Sequence, residues 1–255
     1  VSKSTFVVDA FMSTLQRPVA NAANIGVNAN VALGGSGSVD GELRVVGQRV
    51  LAPGMQVDAV LQVPSPPCRC EPELLLDIAA LVRAHRSDHD NARAGVSESE
   101  LDGYTAPKEL SLPCGRYYFT RLKSEASLTI RTRGNVVIFV ENSIELGDAL
   151  RIQTEDSAGQ VNVFVGGEAR VTGSLWLGGD PNGRSRVNLY LQGEGTLDLG
   201  ASTEIVGQLY APHALLVNRG TLKLYGSMFV ERAQHDVALQ LHYDTSTATP
   251  AQCDP

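Results

Sequence analysis

A chain of 255 residues with 43% apolar side chains can bury a sizeable core, and a net charge of −7 excludes the clustered cations that nucleic-acid binding requires. The longest apolar run, LLLDIAALV from Leu74, is half the length of a membrane span and contains Asp77, so no membrane span is expected in this chain. No charged and apolar leader opens the sequence, so an export signal or anchor is expected to have been removed or to lie outside this segment.

Residues 1–26 read as an N-terminal strand or cap. TFVVDAF has strand character, and Pro18 separates it from the strands that begin at Val27. This strand either caps its own fold or pairs with the edge of a neighbouring subunit, which makes Phe6, Val7 and Val8 candidate assembly residues. From Val27 a period of two sets in, with Val27, Ala29, Val31 and Leu33 on one face, and GGSGSVDGELRVVG continues it through a glycine turn. Residues 64–113 interrupt the strands with Pro, Cys and charge around one amphipathic helix at about 72–84, whose Leu75, Ile78, Ala79 and Val82 form one stripe. After Cys114 strands resume as far as Asp244, and residues 245–255 form a polar tail.

The strands after Cys114 repeat. VVIFV at Val136, VNVFV at Val161 and VNLYL at Val187 align position for position, 25 and 26 residues apart. A second series accompanies them (SIELG at Ser143, EARVTG at Glu168, GTLDLG at Gly195), and a third (LRIQT at Leu150, SLWLG at Ser174, TLKLYG at Thr221, LQLHYD at Leu239). A fixed period of that size means stacked coils, none large enough to bury a core alone. The fold class predicted is all-β: a single-domain parallel β-helix over residues 27–244, with seven or eight coils and one lateral α-helix. Crossover rules favour the right-handed form.

The alternation fixes which residues point out. Glu145, Arg170 and Asp198 fall on one outward row with alternating sign, which suits ion pairs between coils about 4.8 Å apart. The first series is apolar on both faces, with Phe139, Phe164 and Tyr190 outward, so something must cover it. These rings are candidate surface contacts, able in principle to stack on sugars. The helix of the insertion is the favoured cover, because its apolar stripe otherwise lacks a home.

Four cysteines suit disulfides in an exported protein better than a zinc site, since the C-x-C of Cys68 and Cys70 is too tight for a zinc knuckle. Bonding Cys70, or nearly as well Cys68, to Cys114 would staple the base of the insertion; Cys253 would fold back to Cys68 or pair between subunits. His85 and His89 end the predicted helix four residues apart, with Asp88 between them. That spacing is open to a metal, but no third ligand is fixed by another element, and the bland reading is a basic helix C-terminus. Asp148, Asp156 and Asp180 lie at glycine turns, and His213 and His242 are single residues. GGSGSVDG has no helix after it, so its glycines make turns and not a phosphate loop.

The closing stretch GQLYAPHALLVNRGTLKLYGSMFVERAQHDVALQLHYD resembles the end of an uncharacterised bacterial domain found downstream of PilX-type pilus-assembly N-termini. The matching features are Tyr210-Ala211-Pro212, the step from Gly220 to Gly226, and His242-Tyr243-Asp244. FVVDAF near Asp9, GSVDGELRVVG, and GRYYFTRL at Gly115 are similar to that domain too, so the likeness runs from about residue 5 to 244. It implies a β-helical domain of the cell envelope or exterior with no established catalytic residues. The prepilin-like hydrophobic N-terminus of that family does not open this chain, which suggests a stand-alone exported protein.

The expectation is a non-enzymatic structural or adhesive protein, exported to the bacterial cell surface or beyond, without a cofactor. Its partners would be further copies or other surface and pilus proteins. The rival is a glycan-binding or polysaccharide-degrading β-helix, which needs two or three carboxylates converging on a groove.

Overall fold

A computed structural model describes residues 5–12, 17–63, 75–156, 159–181, 185–235 and 237–244. The chain opens with β1 (Thr5–Met12), β2 (Arg17–Pro18), β3 (Ile25–Val27), β4 (Val31–Leu33), β5 (Ser36–Val45), β6 (Arg49–Leu51) and β7 (Gly54–Leu61). Two short helices come after them, α1 (Ile78–Ala84) and α2 (Asn91–Ala94). Four turns of three short strands come next. They are β8 (Lys108–Leu112), β9 (Gly115–Phe119) and β10 (Leu122–Ser124); then β11 (Leu128–Thr132), β12 (Val136–Val140) and β13 (Ile144–Leu146). The third and fourth are β14 (Leu150–Thr154), β15 (Gln160–Val165) and β16 (Ala169–Val171); then β17 (Leu175–Leu177), β18 (Arg186–Leu191) and β19 (Thr196–Leu199). In β20 (Thr203–Asn218) and β21 (Leu222–His235) one bent strand makes a whole turn, and β22 (Leu239–Asp244) closes the sequence of elements.

The result is a parallel β-solenoid of about ten turns with a small helical insertion. Its register is strict: Val136, Val161 and Val187 stack, as do Leu146, Val171 and Leu199. The repeating Val, Ile and Leu positions therefore fill one continuous dry core. Where β20 and β21 turn a corner, Gly207 and Gly226 adopt φ near +150°, and a Cβ at Gly226 would strike the carbonyl of Gly207 on the next turn. Only glycine lets two backbones pass that closely.

The order of turns in space differs from their order in sequence. β1 lies between β22 and β5, parallel to both: Phe6–Phe11 pair with Leu239–Asp244, and Thr5–Val8 pair with Ser36–Val39. β7 then adds to β5. One face thus runs through ten rungs, β8, β11, β14, β17, β20, β21, β22, β1, β5 and β7. The N-terminal strands make the last three turns, beyond the C-terminal strand, which is why there are about ten turns where the repeats predict seven or eight. The N-terminal strand is an internal rung and not an end cap, with Val8 and Ala10 in the core. Both backbone edges of the segment holding Phe6, Val7 and Val8 are taken within the same chain, so these residues offer no open edge to a neighbour.

Two further boundaries move. Val27–Leu33 is not one strand but two, bent at Asn28–Asn30, with Asn30 accepting from the Gln48 amide of the next turn. Residues 75–77 are not helical and the helix of the insertion starts at Ile78, because the Asp77 carboxylate caps it by accepting from the Ala80 amide at 2.8 Å; the part of the predicted span before residue 75 lies outside the described residues. Strands resume at Lys108, before Cys114.

Candidate functional site

The second face of the solenoid carries its most distinctive side chains. Parallel register brings Tyr118, Phe139, Phe164, Tyr190, Tyr210 and Phe229 into one outward row over six turns. Adjacent rings from Phe139 to Tyr190 stack at 5.6 and 4.6 Å with planes within 19° of parallel; Tyr190 to Tyr210 is tilted, and Tyr210 to Phe229 stacks at 5.4 Å. Stacking of this kind results from aromatic side chains repeated at strand spacing.

The insertion lies along this row and covers it from Tyr118 to Tyr210, leaving Phe229 exposed at the far end. The Leu76 amide donates to the Tyr210 hydroxyl and the Ile78 amide to Gln192 Oε1, fixing the start of α1 over the fourth and fifth turns. Ile78, Leu81 and Val82 then pack on the rings, and Phe139 is left 2% exposed. His85 stacks on Phe139 at 4.3 Å, and His89 on Tyr118 at 5.8 Å, so the strap runs back towards the first turn. Tyr118 is wholly buried; burial first, and the Glu141 carboxylate second, push its hydroxyl up to about 12. The predicted cover is therefore the observed one. Phe139, Phe164 and Tyr190 are contacts to the chain's own strap and to each other, with Phe139 buried and Phe164 and Tyr190 half-buried.

Beyond α1 the strap closes the first turn. Asn91 acts as a surrogate strand residue: its Nδ2 donates to the Tyr118 carbonyl at 2.7 Å and its Oδ1 accepts from the Tyr118 amide at 2.9 Å. Asp90 does the same for Arg116 through its backbone N–H and its carboxylate. The Thr120 amide donates to Glu98, the Lys123 amide to Leu101, and Leu101 is completely buried under this cover. Lys108 pins the strap through Glu100 at 2.5 Å, and that ammonium holds the Glu100 carboxyl below its usual range.

The metal candidates fall in this strap without forming a ligand set. The helix ends at Ala84, so His85 is its C-cap and His89 lies in the connection to α2, not four residues on along one helix. His85 Nδ1 is 3.7 Å from Asp88, which is itself bound by Arg116, while His89 Nε2 faces Glu98 at 3.3 Å. Among the described residues no group of three or more such side chains is arranged to hold a metal ion. Cys114 is the one cysteine among the described residues; Cys68, Cys70 and Cys253, and with them the expected pairings, lie outside.

The third face carries the charge row read from the repeats. Lys123 pairs with Glu145 at 3.0 Å, and Asp198 lies between Arg170 at 3.7 Å and Arg219 at 2.9 Å. The Ser143 hydroxyl, then Lys123, holds Glu145 below the ordinary carboxylate range. On the first face Arg131 meets Glu109, and near its corner Arg133 meets Glu155.

Two further contacts lie outside the sequence expectations. At the seam between β22 and β1, His242 Nδ1 lies 2.5 Å from Asp9 Oδ1, and the imidazole stacks on Tyr225 at 4.6 Å. These partners are 233 residues apart, so no local pattern joins them. On the first face Trp176 is exposed, with the Arg151 guanidinium 4.3 Å above its ring.

Together these features define a parallel β-solenoid with one aromatic face strapped and one end closed by its own insertion. The chain belongs to the family described as "Domain of unknown function (DUF7305)", whose model matches residues 71–249. That match spans the strap and the first seven turns and leaves the three N-terminal turns outside it. No curated protein and no solved structure matches the chain. Among the described residues no helix is long and apolar enough to cross a membrane.

Proposed function

We propose that this chain is a non-enzymatic structural or adhesive protein of the bacterial cell surface, pilus-associated or self-assembling. The observation that carries this reading is the disposition of the outward carboxylates. Glu109, Glu145, Glu155 and Asp198 each meet a cation on a neighbouring turn, a pattern that ties turns together instead of aiming acids at one substrate bond. The strapped aromatic row supports it as well, since its rings from Tyr118 to Tyr210 pack into one cluster with the strap and brace a rod.

A second reading, a glycan-binding β-helix, draws support from the exposed Trp176–Arg151 pair, an aromatic edge beside a cation that suits an acidic sugar. Trp176 is the only tryptophan in the chain, so its fluorescence reports this site alone. The purified chain is expected to leave polyuronates uncleaved and its emission unshifted by them, and surface labelling of the source bacterium is expected to reach it. Turnover of a polysaccharide would overturn the proposal. A saturable emission shift would replace it with the second reading.

A further inference from the structure

Elsewhere in the rod the chain itself carries one turn into the next, but β22 and β1 are neighbours without that link. The block formed by β1 to β7 therefore meets the other turns by contact alone. The joint is also narrow. Among the described residues β3 pairs only with β5 and β4 only with β6, so the second and third faces add no ladder across it. Phe6–Phe11 with Leu239–Asp244, on the first face, make the whole of the ladder.

Apolar alternation does not fix the register of so short a ladder, because a strand shifted by two residues keeps every side chain on its own face. Shifted two forward, Val8 would exchange Leu241 for Tyr243, which is 43% exposed, so burial opposes that shift. Shifted two back, Val8 meets Leu239 and Ala10 meets Leu241, apolar against apolar as before. On its other side β5 adds one apolar partner, Val39 opposite Val8, beside Ser36, Gly37 and Ser38. The outer side of the sheet makes the difference. There His242 Nδ1–H donates to Asp9 Oδ1 at 2.5 Å, and the imidazole is aimed by stacking on Tyr225 at 4.6 Å. The imidazole side chain is only 19% exposed, which shields this bond to a carboxylate from water. In the back-shifted register Asp9 would face Gln240 and Phe11 would face His242, and the bond would be lost.

We propose that β22 is a strand-docking site in which His242, braced by Tyr225, reads a carboxylate on the strand it receives and so locks the register. Its occupant is the N-terminal strand of the same chain. A strand that fits has apolar residues at alternate positions with a carboxylate between two of them, as in Val8-Asp9-Ala10. One polar pair set among apolar contacts is a well-attested way to choose one register from several that burial alone would allow. The choice reaches the whole block. Turns eight to ten are built on β1, so a slip of two residues would carry all three about 7 Å along the strand direction. The lock goes beyond the function proposed above and does not depend on it.

Paired cysteines in the full chain read the register. Val7→Cys with Gln240→Cys reports the observed register, and Val7→Cys with Ala238→Cys reports the back-shifted one. With the lock intact, mild oxidation is expected to join residues 7 and 240 and to give at least about tenfold less of the bond between 7 and 238. Two variants remove the lock in different ways: Asp9→Ala takes away the carboxylate, and His242→Phe keeps a ring on Tyr225 but has no donor. Each is expected to bring the two yields within about threefold of one another. Val39→Ala loosens the same strand from its β5 side and is expected to leave the preference as it was. Circular dichroism confirms that each variant keeps its strands. A preference unchanged by both lock variants would overturn the proposal, as would its equal loss in Val39→Ala. A bond between 7 and 240 found only between chains would put a second copy's strand in the site and overturn the assigned occupant.

Discussion

Turns one to four and turns eight to ten share one coil and differ in how far each coil is buried. In the first group the inward residues of β12, β15 and β18 are Val, Ile and Leu, all buried, and α1 covers part of their outer side. In the second group Val8, Ala10, Val39, Leu43 and Val45 are buried too, but Val27, Val31, Met55 and Val57 point in and stay only half-buried, and Gly, Ser and Asn fill many remaining positions. A solenoid turn contacts only its neighbours, so its stability is a local property. The rod is therefore graded: the strapped turns set its resistance to unfolding, and the N-terminal turns open first.

The sharpest way to break this comparison is a matched pair of truncations. Ile138→Ala, in the middle of the strapped turns, should cost about 3–4 kcal/mol in denaturant unfolding, against about 1 kcal/mol for Val57→Ala at the open end. Equal losses would show that burial is not graded. Next in size is Asn91→Ala, which removes both partners of the Tyr118 backbone at the closed end and should cost about 2–3 kcal/mol. Its signature is local: faster hydrogen exchange at Tyr118 and in the strap, with turns six to ten unchanged. An even loss of protection along the whole rod would contradict it.

Titration gives smaller effects at the two extremes of pH. Tyr118 holds its proton to about 12 in the folded chain, whereas an unfolded tyrosine releases it near 10. The stabilisation is thus complete below the unfolded value and is lost as pH rises towards the folded one. Tyr118→Phe should flatten that alkaline limb, and an unchanged limb would place the buried hydroxyl wrongly. On the acid side Glu145 and Glu100 are shifted down, so their contribution is present above the unfolded carboxyl value and disappears as pH falls through the lower folded one. Both are a third or more exposed, so each is worth only about a few tenths of a kcal/mol, and salt should erase it. Glu145→Gln with an unaltered acid midpoint at low salt would remove this pair from the account.

Much of this was legible in the residues. The period of 25 and 26 between VVIFV, VNVFV and VNLYL fixes the solenoid, and the alternation puts Glu145, Arg170 and Asp198 on one row. The need for a cover over Phe139, Phe164 and Tyr190 pointed to the helix, because a sheet apolar on both sides cannot face water. Asp77 before an apolar run was a readable N-cap that the stripe beginning at Leu75 obscured. The position of β1 was not readable. TFVVDAFM has the same alternation whether it caps, is donated, or serves as an inner rung; the choice is made by the free edge of β22, which sequence distance hides. The spacing of His85 and His89 carries meaning only on a continuous helix, and this helix ends at Ala84, which the sequence did not reveal.

The central claim is that the N-terminal strand is a rung beyond the C-terminal strand of the same chain. Val7 and Gln240 are register partners on adjacent strands, both on the outer side of the sheet. Strand neighbours lie within reach of a disulfide, so Val7→Cys with Gln240→Cys should form a bond under mild oxidation. Peptide mapping should find residues 7 and 240 joined within one chain, in protein that runs as a monomer on a non-reducing gel. No bond, or a bond formed only between chains, would contradict the account.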